Sequence, residues 1–150
     1  MAFEFKFATL LKHRKRLEEA AQRDYLEAKA ILDHCLEGIE ALYISIEETR
    51  LQISLWQRRG QVDDLMQISD GERFIDGQKI RIERERIKAR QLMAIVEEKQ
   101  ELLVEAAREF KKIDKLKEKL KAEHKKEAKK REVKRLDDLV VIRANRGERP

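Results

Sequence analysis

The chain has 150 residues, of which 43% are charged, 41% apolar and 5% aromatic, with five Gly and one Pro. About half of it is Ala, Glu, Lys, Leu and Arg, the composition of long helices, and the scarcity of turn residues excludes all-β and α/β folds. Lys plus Arg number 35 against 30 Asp plus Glu, and the excess is local, because residues 111–135 alone hold 13 basic and five acidic side chains.

Apolar residues are plentiful and periodic, which disorder does not allow. Apolar runs are short, as in Leu139-Val140-Val141-Ile142, so neither a membrane span nor a secretory core is expected. Cys35 is alone, so no intramolecular disulfide forms and a reducing compartment fits.

The first third carries a heptad rhythm. Tyr25, Ala28, Leu32, Cys35, Ile39, Leu42, Ile46, Thr49, Ile53 and Trp56 alternate steps of three and four. Steps averaging 3.5 keep one seam turned towards a partner helix. Upstream, Phe7, Leu10, Arg14, Leu17 and Ala21 continue the pattern, with one added residue before Tyr25 that would locally unwind the supercoil. The rhythm stops at Gly60. Gly can end a helix in the left-handed conformation, and Ser69 or Asp70 can cap the next one, so the connection is expected over about 59–71.

A second seam follows: Ile75, Gln78, Ile82, Glu85, Ala89, Leu92, Val96, Lys99, Leu103, Ala106, Phe110, Ile113, Lys117 and Leu120, ten of the fourteen apolar. Laid antiparallel, the two seams pair Trp56 with Ile75, Leu42 with Ala89, Ala28 with Leu103, Tyr25 with Ala106, Ala21 with Phe110 and Leu17 with Ile113. Large faces small in successive layers, as a narrow core requires. That register leaves residues from 129 to about 143 without a partner, although they carry Val133, Leu136, Leu139 and Val140. Apolar residues on an unpaired helix mark a surface awaiting a partner, a second copy or a frayed end.

The expected fold is therefore all-α. It is one long antiparallel two-helix coiled-coil hairpin over 1–150, with a C-terminal helical overhang: helix 1 about 5–58, helix 2 about 72–143, and a tail at 144–150. The helices would extend about 80 Å and about 105 Å.

Chemistry is sparse. Gly71 and Gly77 form no phosphate loop. His13, His34 and His124 are scattered and match no zinc spacing. His34 and Cys35 are adjacent on a helix and so point about 100° apart, which does not make a catalytic pair. No catalytic, cofactor or metal residue is assigned. The basic stretch 111–135 could touch RNA phosphates, but no aromatic follows Phe110 to stack bases. An RNA-binding helical hairpin and a generic structural coiled coil remain as alternatives.

The chain ends carry a resemblance. FKFATLLKHRKRLEEAAQRDYLEA, from Phe5 to Ala28, and KKREVKRLDDLVVIR, from Lys129 to Arg143, resemble the opening and closing patterns of the flagellar FliJ family. Asp138 stands where the family usually has Glu. The resemblance implies a small cytoplasmic, non-enzymatic component of the type III export apparatus, peripheral at the inner face of the cell membrane. Such proteins look like the central stalk of rotary ATP synthases and have been described as chaperones. Implied partners are the hexameric export ATPase, its regulator, the cytoplasmic domain of the export gate and export chaperones, with no nucleic acid, no membrane insertion and a monomeric state.

On that resemblance, Phe7, Leu11, Arg14, Arg131, Val133, Lys134, Leu136, Asp137 and Val140 are the candidate ATPase-binding residues. Leu55, Trp56, Phe74 and Ile75 gather apolar bulk beside the turn and are the candidates for the export gate; the alternative is that Trp56 and Ile75 merely close the last seam layer.

Overall fold

The computed structural model describes residues 2–147. Two helices account for nearly all of them: α1, Ala8–Arg59, and α2, Asp64–Asn145. They pack against each other as an all-α hairpin, as the seams predict. The chain divides into two compact units, one formed by Ala20–Val104 and the other by Met1–Glu19 with Glu105–Pro150.

The helix limits differ from those expected. α1 begins at Ala8, after a turn at 6–7, rather than near residue 5. It ends with Arg58 and Arg59 in its last turn, where positive charge suits the negative end of the helix dipole. Gly60 then takes φ 64°, and its N–H donates to the carbonyl of Trp56 at 3.3 Å, a left-handed cap. The connection is only residues 60–63, not 59–71. α2 starts at Asp64, whose carboxylate is buried beside the helix N-terminus and lies 3.6 Å from Arg59 Nε. Ser69 and Asp70 cap nothing and sit inside α2. α2 also runs two residues past the expected 143, while 148–150, the end of the expected tail, lie outside the described residues.

In the unit 20–104, the seam residues form the core. Cys35, Ile39, Ile46, Ile53, Ile75, Ile82 and Ala89 cluster, with Leu32, Leu42, Trp56, Ile68 and Leu92 packed on them. The α1 seam from Tyr25 to Trp56 and the α2 seam from Ile75 to Leu103 are buried or half-buried at every predicted position. No side chain among the described residues is less than 2% exposed, as expected where only two helices share a core.

The register is the main correction. Ile53 packs on Gly71, where an added Cβ would sit 3.0 Å from its Cδ1 and Cγ1, whereas the expected layer placed Ile53 on Gln78. Gln78 instead donates from Nε2 to Ser45 Oγ at 3.0 Å. Cys35 Sγ lies 3.5 Å from Glu85 Oε2. Each contact places α2 a heptad or more away from the expected pairing. A seven-residue shift returns the same seam to the same face, so periodicity cannot choose between such registers. The turn chooses: a four-residue connection brings Asp64, not Glu72, level with Arg59.

The unit formed by 1–19 and 105–150 shows an offset in the same direction. Phe110 lies in a groove with Leu11, Lys12, Lys15 and Arg16. Lys15 Nζ sits 4.9 Å from the Phe110 ring centroid. The Phe3 ring stands 5.5 Å from that of His124. Along α1, the half-buried positions are Leu10, Leu11, Arg14 and Glu18, while Phe7 and Leu17 are exposed. Glu18, not Leu17, holds the seam position. The steps Arg14, Glu18, Ala21, Tyr25 then alternate four and three, and no unwinding residue is needed.

Candidate functional site

Two surfaces hold the candidate residues. The first begins where α2 outlasts its packing. His124 is the last half-buried residue of α2, and every described residue from Lys125 onward is exposed. The unpartnered arm therefore starts about one turn earlier than the expected 129. Its helix persists to Asn145, roughly 30 Å of free helix.

The arm has a chemical gradient. Lys125, Lys126, Lys129, Lys130, Arg131, Lys134 and Arg135 crowd its first half, with Glu127 and Glu132 as the acidic members. Arg131 and Glu127 are paired only loosely, at 4.0 Å. Beyond lie Val133, Leu136, Leu139, Val140 and Ile142, exposed by 44–65%. On a helix Val133, Leu136 and Val140 recur at steps of three and four and form one stripe, with Leu139 and Ile142 at its side. Asp137 and Asp138 break the positive charge within that stretch.

The α1 start contributes in the same unit. Phe7 is 39% exposed, and its ring meets that of Phe5 edge-on at 5.9 Å. Leu11 lines the groove beside Phe110 under Lys12, Lys15 and Arg16. Arg14 is half-buried, and its Nε is shielded from water without a hydrogen-bond partner, as is Oε2 of Glu18. Thus the expected ATPase-binding residues fall into two groups, on the α1 start and on the arm.

The second surface surrounds the connection. Here the expected four residues separate. Ile75 is only 8% exposed and belongs to the core, and Trp56 packs against that core. Leu55 and Phe74 are exposed. Trp56 and Ile75 thus follow the alternative reading, as seam residues beside the turn, and of the four only Leu55 and Phe74 are presented. Val62, Leu65 and Met66 are exposed here instead, Met66 by 77%. The seams do not mark them, because an expected connection over 59–71 takes them in as turn residues.

Catalytic geometry is sparse among the described residues. No group of three or more His, Cys, Asp or Glu is placed to hold a metal ion. Burial, then the hydrogen bond to and charge of Glu85, push the Cys35 thiol above its ordinary 9.0, away from the thiolate a nucleophile needs. His34 is exposed, whereas Cys35 is buried. No helix among the described residues is long and apolar enough to cross a membrane.

The sequence matches the family model described as Flagellar FliJ protein over residues 3–149. The chain belongs to the FliJ family. FliJ proteins are non-enzymatic components of the flagellar export apparatus, and that is the system of this FliJ-family chain. No curated protein and no solved structure matches it.

Proposed function

We propose that this FliJ-family protein binds the hexameric export ATPase, promotes its assembly and couples it to the export gate. The single observation that supports the ATPase contact most is the arm. Some twenty residues of helix carry an apolar stripe in open solvent, and that exposure is costly unless a partner covers it. Val133, Leu136 and Val140 supply buried area, while Arg131, Lys134 and Asp137 flank them as charged rim contacts. Rim charges of this kind steer encounter more than they set affinity. Phe7, Leu11 and Arg14 at the α1 start complete the surface.

The surface at the connection serves the export gate through Leu55 and Phe74, with Trp56 and Ile75 holding the core beneath them. The regulator of the ATPase and export chaperones are further partners. The protein works as a monomer in the cytoplasm, at the inner face of the cell membrane. Co-purification with the export ATPase of the source organism tests this reading. Wild type captures the ATPase, and Leu136→Asp/Val140→Asp loses most of that capture while melting unchanged. Undiminished capture by the double variant refutes the arm contact. Gate binding that survives Leu55→Ala/Phe74→Ala refutes the second contact.

A further inference from the structure

We infer that the helix pair of residues 20–104 holds a second register in reserve, displaced by one heptad and barred by two local locks. The seams repeat every seven residues, so a slide of α2 by seven, roughly 10 Å along α1, again lays seam on seam. The layers so formed are Trp56 on Ile75, Leu42 on Ala89 and Ala28 on Leu103, which again set large against small. The chain also carries two helix-start signals one heptad apart. Asp63-Asp64 is used, and Asp70-Gly71, preceded by Ser69, is unused.

The first lock is a notch. Gly71 sits against Ile53 so closely that a Cβ would lie 3.0 Å from two of its side-chain carbons. After the slide Gln78 would fill that place and crowd Ile53. The second lock is a polar chain. Arg81 donates to Gln78 Oε1 at 3.5 Å, Gln78 Nε2 donates to Ser45 Oγ at 3.0 Å, and Ser45 Oγ donates to the Leu42 carbonyl at 2.7 Å. Gln78 is only 7% exposed, and in the shifted register its amide would face Ile53 with no partner. Single buried polar residues at seam positions are a known means of setting register in coiled coils.

The slide unwinds Asp64–Asp70, which includes Leu65 and Met66, exposed by 62% and 77%. Any ligand that grips this segment in an unwound form therefore drives the slide by shifting the population.

Native Cys35, the chain's one cysteine, supplies the test. Its Sγ lies 3.7 Å from the Glu85 carbonyl, so Glu85→Cys reports the present register by forming a disulfide with it. Leu92→Cys, one heptad further on, reports the shifted one. Disulfides need Cα atoms within about 7 Å, so a heptad offset puts the wrong reporter out of reach. Each reporter is placed in the otherwise native chain and in a Gly71→Ala/Gln78→Gly background, which moves the notch one heptad on and removes the polar chain, then oxidised mildly and read as intramolecular disulfide by mass. In the native background Glu85→Cys closes and Leu92→Cys closes little. Removing both locks raises the Leu92→Cys yield by about tenfold or more. An unchanged Leu92→Cys yield with Glu85→Cys still closing overturns the inference. So does loss of helical circular dichroism in the lock-free background, because the second register is then no stable fold.

Discussion

Gly71→Ala is the sharpest probe of how these helices meet. In an open helical position this exchange stabilises by about 1 kcal/mol, since Ala has the higher helix propensity. At Gly71 the new methyl group would meet Cγ1 and Cδ1 of Ile53 at 3.0 Å. Cδ1 can swing away by a rotation about χ2, but Cγ1 moves only if the stiff, β-branched χ1 turns or the helices part. Ile53 is 7% exposed, so it has little room to turn. Overpacking of this kind costs roughly 1–3 kcal/mol. The propensity gain offsets part of it, leaving a net loss of about 1 kcal/mol. Gly38 and Gly77 provide the controls, because a Cβ at either meets nothing within 4 Å. Each should gain about 1 kcal/mol as Ala. Urea unfolding followed by circular dichroism therefore separates Gly71→Ala from Gly77→Ala by about 2 kcal/mol, the former below wild type and the latter above. If Gly71→Ala stabilises as much as Gly77→Ala, the notch is not occupied by Ile53 and the present register is wrong.

Ile46→Ala and Ile82→Ala, both at residues 3% exposed, each lose about 2–4 kcal/mol in the same urea experiment, whereas Leu139→Ala on the open arm stays within about 0.5 kcal/mol. Cys35 in the folded protein reacts with an alkylating reagent roughly tenfold or more slower than in the denatured chain, read by mass spectrometry. Its raised thiol holds its proton in the folded state, so stability is intact below the ordinary 9.0 and falls as pH rises beyond it. Cys35→Ala removes that part of the alkaline decline, seen by comparing urea midpoints across pH. Gln78→Leu leaves Ser45 without its donor yet adds apolar area, so it unfolds within about 1 kcal/mol of wild type while gaining conformers, seen as extra amide resonances.

Much was legible in the residues alone. Steps of three and four put Ile39, Ile46 and Ile53 on one side of α1 and Ile75, Ile82 and Ala89 on one side of α2, and all six are buried. That face follows from local geometry, because the helical repeat assigns each residue a direction before any partner arrives. The unpartnered stripe of Val133, Leu136 and Val140 was readable for the same reason. The terminal patterns point to the family for a different reason, their likeness to its opening and closing segments, and the family model matches residues 3–149.

Three features were decided only when the helices met. Glu18 occupies a seam position that apolar counting gives to Leu17, because geometric phase outranks polarity where the core is thin; its shielded Oε2 lies 3.8 Å from Lys15 Nζ, and the side chain stays 24% exposed. Asp64 rather than Glu72 stands level with Arg59, because the connection takes only four residues and α2 starts eight residues sooner than the glycines suggest. The pairing of Ile53 with Gly71 and of Ser45 with Gln78 is tertiary altogether. A seven-residue repeat looks the same after a slide of seven, so the sequence determined which sides touch. A short turn at Gly60 and contacts between distant residues (a missing Cβ, one buried amide) decided where along each other the helices came to rest.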